Sequence, residues 1–310
     1  MMLEIKEVSK YFGEKQVLNN ISLNIDKGDV FGLLGPNGAG KSTLINILSC
    51  ITKQESGDIF FENQNIKINL NEFRKKIGVV SQDVSLYQEL SAYENLIFWG
   101  SLYDIPEAEL KKRTNEILTL LNLYHRRSDK IKTFSGGMKR KINIACSILH
   151  NPPLLLMDEP TVGLDPKSRN EILQLIQELS AQKITIIYTT HYMEIAEKIC
   201  NKIAIINEGN ILAKGSFSDL KKISGIKDNA TIKLKEINTH LIDTLNSKYK
   251  ISKVNNESNT IFFECENLHT NIPEILNSIQ DCKVEILSIQ TSTSDLETIF
   301  MQLTGKTLRD

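Results

Sequence analysis

Eight consecutive residues near the start of the chain have the pattern of a phosphate-binding loop. The stretch Gly35-Pro36-Asn37-Gly38-Ala39-Gly40-Lys41-Ser42 matches G-x-x-x-x-G-K-[ST] in full and lies between a predicted strand and a predicted helix. The glycines allow backbone N–H groups to surround phosphate oxygens, and the positive end of the helix faces the same anion. We expect Lys41 to bridge the β- and γ-phosphates and Ser42 to bind Mg²⁺. A glycine-rich turn without a ligand would not need the Lys-Ser pair.

Two adjacent carboxylates end an apolar run farther along the chain. Leu154–Met157 predicts a buried strand, and Asp158 and Glu159 follow it directly. We expect this strand to lie beside the strand that precedes the phosphate-binding loop. Asp158 would then hold Mg²⁺ through water, and Glu159 could polarise an attacking water as a general base. The alternative is a strand whose acidic residues lie in solvent, and the complete phosphate-binding loop favours the catalytic interpretation.

A second candidate anion site lies between these two motifs. The segment Phe134-Ser135-Gly136-Gly137-Met138 places a hydroxyl and two glycines directly before a predicted helix at residues 138–150. Ser135 could simply cap this helix, but a cap does not explain the paired glycines. If a helical insertion holds this segment away from the first motif, it can serve only the nucleotide of another copy of the chain.

Strands and helices alternate around these motifs, which predicts a mainly parallel sheet covered by helices. Two β-type stretches at residues 3–8 and 16–25 open the chain. Further strands are expected at residues 28–35, 76–82, 153–157, 184–189 and 203–206, with helices at 41–50, after Pro166 and at 193–200. Between about residues 88 and 150, apolar residues recur at helical spacing, which predicts a helical subdomain inserted into the α/β core.

A second domain is predicted after Ser224-Gly225, where the alternation ends. Strands are expected at residues 230–235, 251–254, 260–265 and 284–290, with helices at 238–247, 272–280 and 295–303. The order βαββαβ is typical of a small ferredoxin-like α+β domain. We therefore expect a nucleotide-binding domain at residues 1–222, with its helical subdomain at about 88–150, and an accessory domain at residues 223–310.

The motifs together resemble those of the nucleotide-binding subunits of ATP-binding-cassette (ABC) transporters, over about residues 1–222. The family signature is Leu-Ser-Gly-Gly-Gln, from which Phe134 and Met138 depart. Ser135, Gly136 and Gly137, which face the γ-phosphate in the family, are kept. The run SGGMKR resembles the branch that serves drug, antibiotic and peptide exporters. The resemblance implies a P-loop NTPase core with an antiparallel β subdomain and a helical subdomain.

The resemblance also implies roles for residues that follow strands. Gln82 matches the glutamine that senses Mg²⁺ and the membrane partner, and His191 matches the histidine that contacts the γ-phosphate. Without the other motifs, His191 would be interpreted as part of the start signal for the helix from Met193. Asp165 belongs to Gly163-Leu164-Asp165, which matches the loop that crosses the dimer interface, although Val162-Gly163 replaces the usual Ser-Ala.

Selectivity for adenine over other bases is expected to be modest. Phe12 lies where the family places an aromatic ring that stacks on adenine, and Tyr11 is the alternative. Stacking contributes about 1–3 kcal/mol per base and reads no base edge. The alternative role for either ring is packing within the first sheet.

The resemblance implies that two copies of the chain, or this chain and a paralogous ATPase, sandwich two ATP molecules head to tail, with Mg²⁺ as cofactor. The expected catalytic residues are Lys41, Gln82, Glu159 and His191. The expected nucleotide-binding residues are Phe12, Gly35, Pro36, Asn37, Gly38, Ala39, Gly40, Lys41, Ser42, Thr43, Ser135, Gly136, Gly137 and Asp165, and the expected metal ligands are Ser42, Gln82 and Asp158.

Charge and composition exclude several classes of function. The chain has 37 basic and 38 acidic residues and a net charge of −1, which gives no support to nucleic-acid binding. No apolar run approaches the roughly 20 residues of a membrane-spanning helix, and no signal sequence is recognisable. Five cysteines without a Cys-x-x-Cys pair favour reduced thiols. We expect a cytoplasmic protein, peripheral on the inner face of the membrane.

A multi-span membrane permease is the expected partner. The stretch with Tyr87, Tyr93, Phe98, Trp99 and Tyr103 is unusually aromatic and lies where the family accepts a helix of the membrane subunit, although each ring could equally belong to the helical core. The rival interpretation is a soluble ABC ATPase that is not coupled to transport. A single phosphate-binding loop and the lack of long heptad runs disfavour it, and no Asn-Lys-x-Asp motif supports a GTPase.

Overall fold

The computed structural model describes residues 1–265 and 268–305. The chain divides into two compact units, the first comprising Met1–Phe217 and the second beginning at Ser218. This division falls a few residues before the predicted boundary between residues 222 and 223. Residues 306–310 of the predicted accessory domain lie outside the described residues.

The first unit is built from two sheets and the helices around them. Its strands are β1 (Leu3–Phe12), β2 (Lys15–Ile25), β3 (Val30–Leu34), β4 (Ser56–Phe61), β5 (Gln64–Asn65), β6 (Ile77–Val80), β7 (Leu154–Asp158), β8 (Thr185–Thr190), β9 (Lys202–Asn207) and β10 (Asn210–Gly215). Its α-helices are α1 (Lys41–Leu48), α2 (Leu70–Lys75), α3 (Ala92–Gly100), α4 (Glu107–Leu120), α5 (Gly136–Ile148), α6 (Pro166–Ala181) and α7 (Met193–Ile199), and α8 (Phe217–Ser224) follows.

An antiparallel sheet with the strand order β2-β1-β4-β5 opens the chain. β1 and β2 form a hairpin in which Phe12 pairs with Lys15, and Gly13 in the turn has φ 60°. A positive φ is costly for residues other than glycine, so this glycine permits the tight turn. β4, β5 and α2 were not predicted from the sequence, and neither were β10 and α8 farther along the chain. β5 has only two residues and α2 only six.

The second sheet has six strands in the order β10-β9-β3-β8-β7-β6. All neighbouring pairs are parallel except β10 and β9. Strands β3 and β7 are buried throughout, which explains why they read as apolar runs without alternation. β8 is equally buried, although three of its six residues are threonines. The expectation that β7 lies beside β3 is wrong, because β8 lies between them.

The predicted helical block contains α3, α4 and α5, together with three short 3₁₀ turns. Ser91 and Glu94 form a reciprocal capping box at the start of α3, and Ser135 caps α5 by accepting a hydrogen bond from the Met138 amide at 3.3 Å. Apolar side chains of all three helices join the same core as those of β7 and α6. The helix begins at Gly136, two residues before the predicted start at Met138, so the paired glycines lie in its first turn and not directly before it.

The second unit contains β11 (Asp228–Leu234), α9 (Thr239–Lys248), β12 (Ile251–Asn255), β13 (Thr260–Cys265), α10 (Leu268–Asp281), β14 (Ile286–Ser292) and α11 (Leu296–Thr304). Its strands form an antiparallel sheet in the order β12-β13-β11-β14. Leu241 and Leu245 of α9 and Ile275 and Ile279 of α10 pack with β11 in its core. The observed order of elements agrees with the predicted βαββαβ pattern. Across the described part of the chain, no helix has the length and apolar character needed to cross a membrane.

Candidate nucleotide-binding site

The loop between β3 and α1 has the geometry of an anion cradle. A side chain at Gly35 would collide with the Ile206 carbonyl, which lies 2.1 Å from an ideal Cβ, and Gly40 has φ 110°. The N-terminus of α1 has no capping side chain and no acidic residue in its first turn, whereas side chains cap α2, α3, α5 and α6. Its first amides are therefore available to an anion, which fits a bound polyphosphate.

Lys41 is buried at the base of this loop, with only 4% of the residue exposed. Its Nζ donates hydrogen bonds to the carbonyl oxygens of Gly35 at 2.9 Å and Pro36 at 3.0 Å. It also lies 3.2 Å from Oε1 of Glu159. These contacts hold the ammonium group inside the loop, where it can reach the phosphates.

Glu159 joins the other charged groups of the site. Its Oε1 pairs with Lys41, and its Oε2 lies 3.1 Å from Nδ1 of His191. Glu159 has φ 46°, a left-handed conformation that is uncommon for a residue with a side chain and that clusters at functional sites. The strand end therefore turns sharply at Glu159, whose carboxylate lies between Lys41 and His191.

Thr189 positions both carboxylate residues and was missed by sequence analysis. Its hydroxyl donates to Oδ1 of Asp158 at 2.6 Å and accepts from the Glu159 amide at 2.9 Å. The parallel pairing of β7 with β8 places Thr189 directly opposite Asp158. A threonine at the end of a predicted strand could have been singled out as a candidate site residue. Its hydrogen-bond partners depend on the strand order, however, which cannot be derived from the sequence alone.

Replacing Thr189 with valine is expected to lower kcat for ATP hydrolysis by about 10-fold or more, because Asp158 and Glu159 lose the hydroxyl that holds them in place, and a hydrogen bond to a charged group contributes about 1.5–3 kcal/mol. Steady-state ATPase kinetics measure this effect. Thr185→Val is the matched control, since Thr185 is equally buried on β8 but accepts only from the Gly28 amide at 2.9 Å. Both variants should lower the melting temperature, and equal losses of kcat in both would contradict the assigned role of Thr189.

The predicted residues of the loop, the strand ends and the first hairpin line one open cleft of about 540 Å³. The lining residues that the sequence predicted are Phe12, Asn37, Gly38, Gly40, Lys41, Ser42, Thr43, Gln82, Glu159 and His191. Lys15, Val17 and Val162 also line it and were not predicted. Lys15 follows the turn after Phe12 and pairs with it, so its place beside that ring could have been inferred from the hairpin.

Several predicted residues do not line this cleft. Gly35 and Pro36 contribute the carbonyls that bind Lys41, Ala39 is buried behind the loop, and Asp158 is buried with its carboxylate on Thr189. Tyr11 is also absent from the lining, whereas Phe12 is there and is half exposed. Nζ of Lys10 lies 5.1 Å from the centre of the Phe12 ring, which helps to hold that ring in place. Phe12 is therefore the better placed of the two candidate base-stacking rings.

The second candidate anion site lies outside this cleft. Ser135, Gly136, Gly137 and Asp165 are not among the lining residues. Gly137 packs tightly against α6, since an added Cβ would lie 2.3 Å from Oγ of Ser168. Asp165 caps α6 by accepting from the Ser168 amide at 3.0 Å, and the hydrogen bonds from Ser168 lower the pKa of Asp165. The N-termini of α5 and α6 therefore lie side by side, and both first turns carry residues predicted to face another copy.

Arg126 contacts both residues that depart from the family signature. Its guanidinium carbon lies 4.8 Å from the centre of the Phe134 ring, and Nη1 lies 3.4 Å from Sδ of Met138. Its Nε also donates to Asp129 at 2.7 Å. Phe134 and Met138 thus hold an arginine against the start of α5, which gives the two departures a structural role in this chain.

Oxygen ligands suited to Mg²⁺ are present at the cleft. The Ser42 hydroxyl and the Gln82 amide line it, and Asp158 ends the adjacent strand β7. In residues 1–265 and 268–305, no group of three or more His, Cys, Asp and Glu side chains could hold a metal ion. The hydroxyl of Ser42, the amide of Gln82 and the carboxylate of Asp158 fit Mg²⁺, which binds through few protein ligands and completes its shell with phosphate oxygens and water.

The aromatic residues of the predicted docking stretch do not all lie together. Tyr87, Phe98 and Trp99 form one cluster, with ring centres 4.8 Å apart for Tyr87 and Phe98 and 5.6 Å apart for Phe98 and Trp99. Tyr87 and Phe98 are exposed, whereas Trp99 is partly buried against the core. Tyr103 instead stacks on His150, with ring centres 3.7 Å apart, and the pKa of His150 falls to about 4, chiefly because of burial. Tyr93 also packs against the core.

A phosphate-binding loop, a strand that ends in Asp-Glu and a parallel sheet that brings both to one cleft define a P-loop nucleoside triphosphatase. The chain belongs to the ABC transporter family, whose model matches residues 18–162. It is 40% identical over 311 residues to the linearmycin resistance ATP-binding protein LnrL of Bacillus subtilis (strain 168), covering 100% of both chains. It is also 29% identical over 310 residues to the doxorubicin resistance ATP-binding protein DrrA of Mycobacterium tuberculosis (strain CDC 1551 / Oshkosh), covering 98% of this chain and 94% of that protein.

Solved structures agree on the fold. The ATP-binding subunit of an ABC transporter matches with a TM-score of 0.66 and 32% identity, over 73% of this chain and 94% of that one. A dimeric ATP-binding cassette in a post-hydrolysis state with ADP and Pi matches with a TM-score of 0.63 and 30% identity, over 69% of this chain and 98% of that one. The predicted ABC ATPase fold, the nucleotide-binding and ATPase functions and the exporter branch of the family are thereby confirmed.

Proposed function

We propose that this chain hydrolyses Mg-ATP as a head-to-tail dimer and drives a separate multi-span permease that exports an antibiotic or another drug-like compound. The observation that carries the proposal is the 40% identity to a linearmycin resistance ATP-binding protein over the whole of both chains. The similarity extends beyond the nucleotide-binding unit, so it includes the second unit as well.

Hydrolysis in this proposal depends on groups that already contact one another. Lys41 binds the phosphates, and because Glu159 lies 3.2 Å from its Nζ, a γ-phosphate held by Lys41 comes within reach of the Glu159 carboxylate. Glu159 accepts a proton from the attacking water as the P–O bond to the leaving ADP breaks. His191 holds Oε2 of Glu159 at 3.1 Å, and Thr189 holds its amide. A Mg²⁺ ion at Ser42, Gln82 and Asp158 would neutralise charge on the phosphates.

In the proposed dimer, each chain supplies contacts to the nucleotide that is bound in the cleft of the other chain. Ser135 and Gly137 do not line the cleft of their own chain, yet they lie at a helix N-terminus suited to an anion. We assign them to the γ-phosphate of the partner's ATP, with Asp165 at the same interface. A related ATP-binding cassette has been solved as a dimer, which supports this arrangement for the present chain.

The aromatic cluster of Tyr87, Phe98 and Trp99 is the proposed docking site for the permease. Tyr87 and Phe98 expose apolar rings on the helical block, and Asn95, which is fully buried, fixes the turn at Tyr87 through hydrogen bonds to both its amide and its carbonyl. Rigid aromatic anchors suit an interface with a short helix. Binding there would place the protein on the inner face of the membrane.

Co-expression with any multi-span protein that is encoded next to this chain tests the proposed function. Cells that make both proteins should tolerate higher concentrations of amphiphilic antibiotics in a growth-inhibition panel than cells that make either protein alone. Cells with the permease and the Glu159→Gln variant should lose this protection. Active ATP hydrolysis without protection, and without membrane recruitment by any adjacent multi-span protein, would favour a soluble ABC ATPase instead.

Replacing Phe98 with alanine is expected to release the protein from permease-containing membranes, because loss of an interface anchor weakens binding by about 2 kcal/mol or more, which is roughly 30-fold. The membrane fraction measured by sedimentation reports this, and basal ATPase activity should stay unchanged. Phe98 is preferred to Trp99 for the test because Trp99 also packs in the core. Tyr124→Ala, which alters an exposed tyrosine outside the cluster, is the matched control. Equal membrane binding by Phe98→Ala and wild type would contradict the docking site.

A further inference from the structure

Arg140 on α5 is a buried cation whose guanidinium donates to main-chain carbonyls. Only 4% of the residue is exposed, and among residues 1–265 and 268–305 its hydrogen bonds go to main-chain carbonyls and to no carboxylate. Burial lowers the pKa of its guanidinium, while the nearby Asp83 and Tyr188 act in the opposite direction. Burying a charge is costly unless it makes strong hydrogen bonds. The hydrogen bonds that Arg140 donates must therefore offset the free-energy cost of burying its charge.

The guanidinium of Arg140 binds two consecutive main-chain carbonyls directly after β6. Nη1 donates to the Ser81 carbonyl at 2.7 Å, and Nη2 donates to the Gln82 carbonyl. Such charge-assisted bonds are about twice as strong as neutral ones, and the planar fork of arginine fits two acceptors at once. Arg140 thus fixes the backbone of Gln82, whose side chain lines the phosphate cleft.

The same helix carries the second anion site. Arg140 lies in the second turn of α5, and Ser135 caps the first turn. Just beyond the other end of α5, Nε2 of His150 lies 3.0 Å from the Ile77 carbonyl at the start of β6. Contacts near both ends therefore hold α5 to β6, so a shift of the backbone at Gln82 would be transmitted to Ser135.

We propose that Arg140 is a positioning residue that couples the two ATP sites of the dimer, by joining Gln82 of one site to Ser135, which serves the other. The inference rests on the proposed head-to-tail dimer and adds to it a specific connection within each chain. When Mg-ATP draws Gln82 into place, Arg140 carries α5 with it, which sets Ser135 and Gly137 for the partner's nucleotide. The two sites then bind and hydrolyse ATP cooperatively.

The full-length Arg140→Met variant tests this coupling. Methionine keeps most of the volume but removes the donors, so ATP hydrolysis should lose about 10-fold in kcat and its Hill coefficient should fall towards about 1. Affinity of the monomer for a fluorescent ATP analogue, measured without Mg²⁺, should stay within about threefold, because Arg140 does not touch that cleft. Arg140→Lys, which can donate to one carbonyl at a time, should recover part of the loss.

Two comparisons separate coupling from a general loosening of α5. Lys141→Met alters the next residue, which pairs with Glu171 at 2.7 Å, and it should keep the Hill coefficient of the wild type. Combined with Gln82→Ala, Arg140→Met should cause no further loss of kcat beyond Gln82→Ala alone, because it acts through Gln82.

Three outcomes would overturn the inference. The first is a folded Arg140→Met variant whose ATP hydrolysis stays sigmoidal. The second is a Lys141→Met variant that loses as much kcat and cooperativity as Arg140→Met. The third is a double variant with Gln82→Ala in which the two losses of kcat add. If Arg140→Met does not fold, the additivity test with Arg140→Lys decides in the same way. A wild-type protein that neither dimerises with ATP nor hydrolyses it cooperatively would instead overturn the proposed dimer, and this inference with it.

Discussion

The Glu159→Gln variant should bind ATP as tightly as the wild type but hydrolyse it about 10²- to 10⁴-fold more slowly, because general-base catalysis contributes a factor of that size. Glutamine keeps the shape of the side chain and can still contact Lys41 and His191, which lie 3.2 Å and 3.1 Å from the carboxylate. It cannot accept the proton of the attacking water. Single-turnover hydrolysis and equilibrium ATP binding measure the two effects separately.

Lys41→Ala provides the contrast for this result. Removal of the buried ammonium should weaken ATP binding itself by about 10- to 100-fold, since a hydrogen bond to a charged group contributes about 1.5–3 kcal/mol. The two variants therefore separate loss of chemistry from loss of binding. Hydrolysis by Glu159→Gln at the rate of the wild type would remove Glu159 from the role of base.

The second large effect concerns the dimer. With ATP in the absence of Mg²⁺, the Glu159→Gln protein should elute as a dimer from a sizing column and return to monomer with ADP. Ser135→Arg in the same background should abolish the dimer, because its bulk would fill the place where the partner's γ-phosphate meets α5. Light scattering on the column measures the mass directly.

Ser101→Arg is the matched control for the dimer experiment. Ser101 is exposed on the helical block, so the same substitution there adds equal bulk and charge away from the start of α5. It should leave the ATP-dependent dimer intact. A monomer under all conditions, or a dimer that tolerates Ser135→Arg, would count against the composite site.

The local chemistry of this protein is contained in short segments of its sequence. The phosphate-binding loop, the Asp158-Glu159 strand end and the Ser135 helix start were each predicted, because their backbone conformations depend on neighbouring residues: glycines for turns, a polar cap for a helix and an apolar run for a buried strand. The repeated alternation of these elements also predicted the parallel sheet, and the strand and helix patterns beyond Gly225, where that alternation ends, predicted the βαββαβ order of the second unit. Short elements such as β5 and α2 were not predicted, because they contain too few residues to show a hydrophobic periodicity.

Tertiary structure alone decided which of these segments meet. The sequence predicts that β3 and β7 are buried parallel strands, but it does not predict that β8 lies between them, since strand order arises from packing between distant segments. That order brings Thr189 to Asp158 and Glu159 across 31 and 30 residues. Likewise, a basic residue in the second turn of a helix is usually solvated, and only folding reveals that Arg140 is buried on the carbonyls of Ser81 and Gln82. Hydrogen bonds between residues so far apart leave no periodic signal in the chain, because each partner is chosen by the packing of the elements that carry it.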